Sequence, residues 1–191
     1  MALFCLMSWS PAFYIRNFGL TPTQVGYTLG ALLLLANTSG VLCGGALIDW
    51  FTRKGYSDAP MRAGVIGAVG MLVPAVLYTQ IPQMELSFAV LAVAMFFASF
   101  PMPTSTAVMQ ILPPNQMRAQ VSALFLLVSN LIGLGVGTTA VALLTDRLFK
   151  DPMQVGSSIS LLNLVAGGLA IALLAVGCRY YRASLVREGR D

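Results

Sequence analysis

Long apolar runs alternate with short charged segments along this chain, and the alternation predicts membrane-spanning helices. Residues 17–48 and 63–84 carry no charged side chain. They are joined by a polar segment, within 44–62, that holds three basic and two acidic residues. About 20 consecutive apolar residues form a helix long enough to cross the roughly 30 Å hydrocarbon core of a bilayer. The pattern therefore predicts two transmembrane helices connected by a short charged loop.

The same pattern predicts six spans in all. Span one is apolar over residues 1–15 and reaches only about 22 Å before Arg16, less than the core thickness. We expect a span that lacks its first turns, and hence a fragment of a longer protein. A signal peptide is the alternative, although it would need a basic start and a small-residue cleavage site. A turn is predicted at 17–24, and span two runs from it to about residue 48. Spans three to six are predicted at about 62–80, 86–112, 118–145 and 153–178, in that order.

Basic residues are distributed unequally between the two sides of such a six-span chain. Eight lie on the side of the 44–62 loop, and three lie on the opposite side. An excess of Lys and Arg marks cytoplasmic loops. The chain is therefore predicted to be one membrane domain over 1–191, in the plasma or inner membrane. Both termini would be cytoplasmic, with a basic tail at 179–191.

Composition supports this reading and excludes several classes of protein. The chain has 191 residues, of which 57% are hydrophobic and 9% are charged, whereas soluble domains carry about 25% charged residues. It has no histidine, which removes the commonest metal ligand and the commonest general base. We therefore expect no metal, no cofactor and no enzymatic activity. The basic residues sit at span ends, so they indicate membrane topology rather than nucleic-acid binding.

Small residues are spaced for close helix packing in two of the spans. Span two contains Gly-x3-Gly at 26–30 and again at 40–44, and span three places Gly64, Gly67 and Gly70 on one stripe. Glycines at such spacing let helix backbones approach closely. Pro74 is a candidate kink in span three.

An internal repeat relates the two halves of the chain. The pattern L-x-P-x-Q occurs at 20–24 and again at 112–116, at an offset of 92 residues. Asn37-x2-Gly40-x3-Gly44 recurs as Asn130-x2-Gly133-x3-Gly137, at an offset of 93. Because spans two and five enter the membrane from opposite sides, the sequence predicts an inverted three-plus-three repeat.

The loop after span two resembles the signature loop of the major facilitator superfamily. Residues 45–49 and 53–55 read G-A-L-I-D and R-K-G, and Trp50 stands where the first basic residue of that signature belongs. The segments 9–20, 113–120, 130–137 and 143–146 are similar to spinster-type members, with Thr138 in place of the usual proline. The resemblance implies an all-α bundle of six transmembrane helices, equivalent to spans seven to twelve. It also implies an N-terminal six-helix half as partner in the bilayer and alternating access for a small organic or lipid-like solute.

The signature loop supplies one group of candidate functional residues. They are Gly45, Asp49, Arg53, Lys54 and Arg118. Asp49 and Arg53 are spaced as an i, i+4 ion pair, which contributes only a few tenths of a kcal/mol on a surface. The functional alternative is a cytoplasmic gate whose charges pair with the other half in one conformation, with Arg118 as a candidate partner of Asp49.

A second group of candidates lies at membrane depth. Pro101 and Pro103 interrupt span four. Since proline has no amide hydrogen, the carbonyl groups one turn earlier lose their helical donors and need other partners. Ser99, Thr104, Ser105 and Thr106 can bond them locally, or the break can face the substrate. Asn37 and Asn130 can join helices or contact the solute, and Trp9 can pack or line the cavity. Asn163 is interpreted as structural. These alternatives stay open on the sequence alone.

No charged residue lies deep in any span. Intramembrane ionisable groups usually mark ion or proton pathways, so a proton-coupled transporter would carry its titrating group in the other half. The rival hypotheses are a transport-incompetent fragment or regulatory half-protein that needs a partner, and a membrane-embedded enzyme. The second of these would need a nucleophile–base pair or metal ligands within the spans.

Overall fold

The protein is helical throughout the described part of a computed structural model, which covers residues 2–56, 58–111, 116–143 and 155–187. Two π-helical turns, Leu33–Asn37 and Leu131–Gly137, interrupt otherwise continuous spans. The α-helices are α1 (Ala2–Phe18), α2 (Pro22–Leu32), α3 (Thr38–Arg53), α4 (Ala59–Leu77), α5 (Met84–Ala98), α6 (Pro101–Ile111), α7 (Arg118–Asn130), α8 (Thr138–Leu143) and α9 (Val155–Arg187).

Four segments are long and apolar enough to cross a membrane, and they coincide with predicted spans two to five. They are Pro22–Arg53, Ala59–Leu77, Met84–Met109 and Arg118–Leu143. Predicted span one corresponds to α1, which has 17 residues. Predicted span six corresponds to α9, in which a shorter apolar stretch covers Ile159–Leu174. The predicted all-helical membrane architecture is confirmed.

Three predicted boundaries differ from the structure. Span two continues to Arg53 rather than ending near residue 48, so the signature acidic residue lies inside the last helical turns. Span three begins at Ala59 because Pro60 fits the first turn of a helix, where its missing amide hydrogen is not needed. The last helix does not stop at 178 but continues through Arg187, so most of the predicted tail extends it.

The turn before span two forms a helix cap. The Thr21 hydroxyl accepts a hydrogen bond from the Gln24 backbone amide at 3.3 Å, and the Thr21 amide donates to Gln24 Oε1 at 3.1 Å. This reciprocal capping box, with Pro22 at the first helical position, satisfies two amides that a helix start leaves unbonded. Span two therefore begins directly after the predicted turn.

Span four lies between the glycine faces of spans two and three. A Cβ added to Gly67 would lie 2.4 Å from Phe100 Cβ, and one added to Gly70 would lie 2.6 Å from the Phe97 ring. On the other side, a Cβ on Gly40 would lie 2.2 Å from the carbonyl oxygen of Phe96. The glycines at 40–44 and the stripe of Gly64, Gly67 and Gly70 therefore mark close helix contacts. The glycines at 26–30 do not, because nothing lies within 4 Å of a Cβ added to either of them.

Spans two and five lie at the periphery of the bundle. Only 22% of the apolar window of span two and 17% of that of span five is buried, against 39% and 44% for spans three and four. The large exposed side chains include Tyr27, Leu34, Leu35 and Leu42 on span two, and Leu124, Leu127 and Leu131 on span five. Among these four spans, the two related by the sequence repeat thus leave the broadest uncovered faces.

Candidate functional site

The break in span four meets the π-helical turn of span two at membrane depth. Helix α5 ends at Ala98, residues 99–100 form a turn, and α6 begins at Pro101. The Ser99 hydroxyl is hydrogen-bonded to the side-chain amide of Asn37, which closes the π turn. Turns of this kind are frequent at functional sites. The structure therefore brings two of the predicted cavity residues, Asn37 and Ser99, into one interhelical junction.

Hydrogen bonds at Ser99 fix the orientation of this junction. A serine hydroxyl has one proton to donate, and Ser99 Oγ lies 2.7 Å from the carbonyl oxygen of Met95. The same hydroxyl also faces Asn37 Oδ1, so its proton is shared between the Met95 carbonyl and the Asn37 side-chain oxygen. Span two is thereby connected through Ser99 to the last turn of α5.

The carbonyl groups around the proline break are satisfied locally. Phe97 accepts from the Phe100 amide at 3.2 Å, and Ser99 accepts from the Met102 amide at 3.1 Å. Proline cannot supply these bonds, because it has no amide hydrogen. The Thr104 hydroxyl donates to the carbonyl of Phe100 at 3.0 Å. Local satisfaction, one of the two alternatives for this break, is what the structure contains.

Thr104 and Pro103 face neighbouring glycines rather than an open space. The Thr104 methyl group lies 3.2 Å from the position of a Cβ on Gly64, and Thr104 is buried. Pro103 Cγ lies 3.2 Å from the position of a Cβ on Gly44. These residues of α6 fill the gap between spans two and three on the α6 side of the junction.

Trp9 and Asn130 do not join the junction. The Trp9 indole nitrogen donates to the carbonyl of Thr138 at 3.3 Å, which links α1 to span five. Asn130 is exposed and its side-chain nitrogen donates to the carbonyl of Leu126, in its own helix, at 2.8 Å. The two repeat-related asparagines therefore occupy different environments.

The C-terminal end of span two carries most of the predicted gate residues on an exposed surface. Asp49, Arg53 and Lys54 are exposed, and the Lys54 ammonium lies 3.7 Å from the centre of the Trp50 ring. Asp49 forms no ion pair with any described residue, Arg118 included. Gly45 is half-buried with nothing within 4 Å of a Cβ position. The acidic and basic groups at this helix end are thus accessible to a partner outside the described bundle.

The end of span two is shaped by a glycine that the signature resemblance includes. Gly55 has a φ of 82°, its amide donates to Thr52, and the Tyr56 amide donates to Phe51 at 3.1 Å. This is a Schellman cap, which terminates a helix through a left-handed residue that only glycine adopts without strain. The Phe51 and Tyr56 rings pack edge-on at 5.9 Å.

An ion pair that the sequence analysis did not single out lies directly after this cap. Arg62 Nε is 2.8 Å from Asp58 Oδ1, and Asp58 is buried. The Arg62 guanidinium also lies 4.1 Å from the centre of the Tyr56 ring. Its i, i+4 spacing was the available sequence signal. This pair stabilises the start of span three. The exposed charged residues of the described segment between residues 44 and 62 are therefore Asp49, Arg53 and Lys54.

A buried cluster at the opposite end of the bundle was also missed. Ser87 Oγ donates to the carbonyl of Tyr78 at 2.7 Å, so the Tyr14 hydroxyl, 2.9 Å away, donates to Ser87. The Tyr14 ring stacks on Phe88 at 3.9 Å. Tyr14, Tyr78 and Ser87 are fully buried. The cluster joins α1, span three and span four, whereas the uncovered faces of spans two and five lie outside it.

The described residues hold no group of histidine, cysteine or acidic side chains arranged to bind a metal ion.

Comparison with known proteins gives two relevant similarities. The chain is 29% identical over 164 residues to an uncharacterized transporter, YybO, of Bacillus subtilis, covering 85% of this chain and 36% of that protein. It is 28% identical over 196 residues to an MFS-type efflux pump of Mycolicibacterium smegmatis, covering 98% and 44% respectively.

No family model matches the chain. No solved structure matches it either. The chain spans less than half the length of the curated relatives it matches. Both relatives are transporters by name. The all-helical architecture with four membrane-length apolar segments is that of a membrane-embedded protein.

Proposed function

We propose that this chain is the C-terminal six-helix half of a major facilitator secondary transporter, similar to the spinster-type group. Its function would be to move a small organic or lipid-like solute by alternating access. The observation that carries the proposal is the uncovered pair of repeat-related faces on spans two and five. The relatives are more than twice as long as the matched part, which leaves enough chain for a second six-helix half.

In this proposal the uncovered faces receive the N-terminal half and enclose the solute path. The charge-free parts of spans two and five, residues 22–48 and 119–143, have exposed side chains that are mainly leucines with a few hydroxyl groups. Such walls favour an apolar or amphiphilic solute, because a charged group would be left without a partner. The Asn37–Ser99 junction lies beside this surface and is our candidate for the polar contact.

Asp49, Arg53 and Lys54 would form the cytoplasmic gate. Their exposure supports pairing with charges or helix ends of the other half in one conformation and release in the other. A coupling free energy of about 1–3 kcal/mol is enough to shift such an equilibrium. The proposed protein lies in the plasma or inner membrane with both termini in the cytoplasm, as the excess of basic residues on that side predicts.

Native cysteines provide a test of the proposed interface. Cys43 is exposed on span two and Cys5 is buried in α1. In the full-length protein carrying Cys178→Ala, a lipid-soluble maleimide should label Cys43 slowly when the two halves are closed around span two. Separating the halves by protease cleavage of their linker in detergent should raise the labelling of Cys43 while leaving Cys5 unreacted. Equal labelling of Cys43 before and after separation would contradict the interface.

Transport itself is tested in proteoliposomes with the full-length protein. A fluorescent lysophospholipid and a fluorescent organic cation would be followed under imposed proton and sodium gradients. Gradient-dependent movement of either probe, lost in Asp49→Asn, supports the proposed activity. Labelling that supports the interface, combined with no transport of any probe, would instead favour the regulatory half-protein that needs another partner.

A further inference from the structure

Asn163 is the most poorly satisfied polar side chain in the described part of the bundle. It lies midway along span six and is fully buried. Neither its Oδ1 nor its Nδ2 has a hydrogen-bond partner among the described residues. Buried amides are normally bonded, because burial without a partner removes the hydrogen bonds that water gave them. The side chain therefore requires a small polar partner inside the membrane domain.

The position of Asn163 against span three follows from contacts one turn on either side. Ser160 Oγ lies 2.5 Å from Thr79 Oγ1 and 3.1 Å from the carbonyl of Val76. A Cβ on Gly167 would lie 2.6 Å from Leu72 Cδ1. Residues three and four apart share a helix face. Asn163 thus faces span three between Val76 and Leu72, where the side chains include the small, fully buried Ala75.

Span one closes the same seam from the other side. A Cβ on Gly156 would lie 2.9 Å from the Phe13 ring. Moving inward from that contact along α1 leads to Ser10, one turn before Phe13 and on the same face. The Ser10 hydroxyl lies 3.4 Å from the Tyr78 hydroxyl, and both groups are fully buried. Because hydroxyl pairs normally bond at 2.7–2.8 Å, this pair keeps unused bonding capacity.

We propose that a resident water molecule binds Asn163 in the seam of spans one, three and six and bridges it to the Ser10–Tyr78 hydroxyl pair. Water accepts from the amide nitrogen and donates to the amide oxygen, so one molecule can satisfy both atoms. The stretches 1–15, 63–84 and 152–178 that form this seam carry no charge. A neutral ligand fits such a site, whereas a cation would lack a carboxylate to offset its desolvation.

This water would link the two triplets of the inverted repeat. Ser10 and Tyr78 belong to spans one and three, and Asn163 belongs to span six. The bridge is therefore a further polar tie between the two triplets, beside the Thr79–Ser160 and Trp9–Thr138 hydrogen bonds.

An isosteric pair of substitutions in the full-length protein tests the assignment. Asn163→Thr and Asn163→Val have side chains of the same shape, but only threonine keeps a hydroxyl group that can hold the water. We expect the threonine variant to melt about 2–4 °C above the valine variant. If Asn163 had no partner in the native protein, Asn163→Val would leave no polar group buried and would be at least as stable as Asn163→Thr. A valine variant that melts at or above the threonine variant would overturn the proposal.

A second measurement needs no variant to fold. In radiolytic hydroxyl labelling of the wild-type protein, radicals formed from the bound water should modify Tyr78 more than Tyr14. Tyr14 is equally buried in the same aromatic cluster but bonds to Ser87, so it serves as the internal control. Equal modification of the two tyrosines would contradict the water site. A melting temperature that rises with sodium, at constant ionic strength set by potassium, would assign the site to a cation instead.

Discussion

The contact between spans two and four makes Gly40 the most demanding position in the bundle. A Cβ added there would lie 2.2 Å from the Phe96 carbonyl oxygen and 3.0 Å from its carbon. Real Cβ atoms essentially never approach closer than 3.0 Å. The obstacle is backbone, so no rotamer change can relieve it. Gly40→Ala must therefore push span two away from span four and disturb the Asn37–Ser99 hydrogen bond one turn earlier.

The cost follows from two opposing terms. Overpacking a close contact destabilises by about 1–3 kcal/mol, whereas alanine favours the helical backbone over glycine by about 0.5–1 kcal/mol. Gly168→Ala is the matched control, because Gly168 is helical and has nothing within 4 Å of its Cβ position. The helix term is common to both variants and cancels in their difference. We expect a gap of about 1–3 kcal/mol, which corresponds to about 2–12 °C.

The measurement is thermal unfolding of both variants of the full-length protein in the same detergent. Gly40→Ala should melt below wild type and below Gly168→Ala. The reasoning would be refuted if Gly40→Ala melted at or above the control, because the two backbones could then not be in contact. Phe96→Ala would not relieve the clash, since the contact is made by the carbonyl oxygen rather than the ring.

Three further predictions follow from the described contacts. Asp49→Asn should change the free energy of unfolding by less than about 0.5 kcal/mol but lower transport, whereas Asp58→Asn should cost about 1–3 kcal/mol by breaking a pair whose arginine is partly exposed. Both are read by thermal unfolding beside a proteoliposome assay, and equal effects on stability would contradict the distinction. Gly55→Ala should cost about 1–2 kcal/mol because its φ is 82°. Ser87→Ala should cost about 1–3 kcal/mol by removing a buried bond to the Tyr78 carbonyl. A melting temperature equal to wild type would contradict the helix cap in the case of Gly55→Ala and the buried hydrogen bond in the case of Ser87→Ala.

The fold was predictable because its signals are local. The charge-free stretches indicated the positions of spans two to five. Boundaries were less predictable where charged residues continue a helix. Asp49 and Arg53 were expected to lie in or beside a loop, yet the helix includes them because its end is set by Gly55.

The interior of the bundle was less predictable because burial depends on which helices meet. The glycines at 26–30 and 40–44 have the same spacing, but only the second pair meets span four. Tyr14 lies 73 residues before Ser87 in sequence, yet it joins Ser87 and the nearby Tyr78 in one buried cluster. Apolar and hydroxyl residues near span ends are common, so no local pattern distinguishes these three.

The two repeat-related spans show how much structure a sequence match between helices predicts. Asn37 and Asn130 occupy equivalent positions, and a π-helical turn ends at the first and begins directly after the second. The two π-helical turns do not coincide in the repeat, because Leu131–Gly137 corresponds, at the offset of 93, to residues 38–44, which are α-helical. The partners of the asparagines also differ, because span four offers Ser99 to Asn37 while Asn130 bonds to Leu126 in its own helix. An amide that bonds to its own helix leaves its face exposed to whatever covers span five, whereas an amide bonded across helices fixes span two to span four. The repeat therefore predicts the positions of the two asparagines, and the packing of neighbouring helices determines which of them forms a fixed junction.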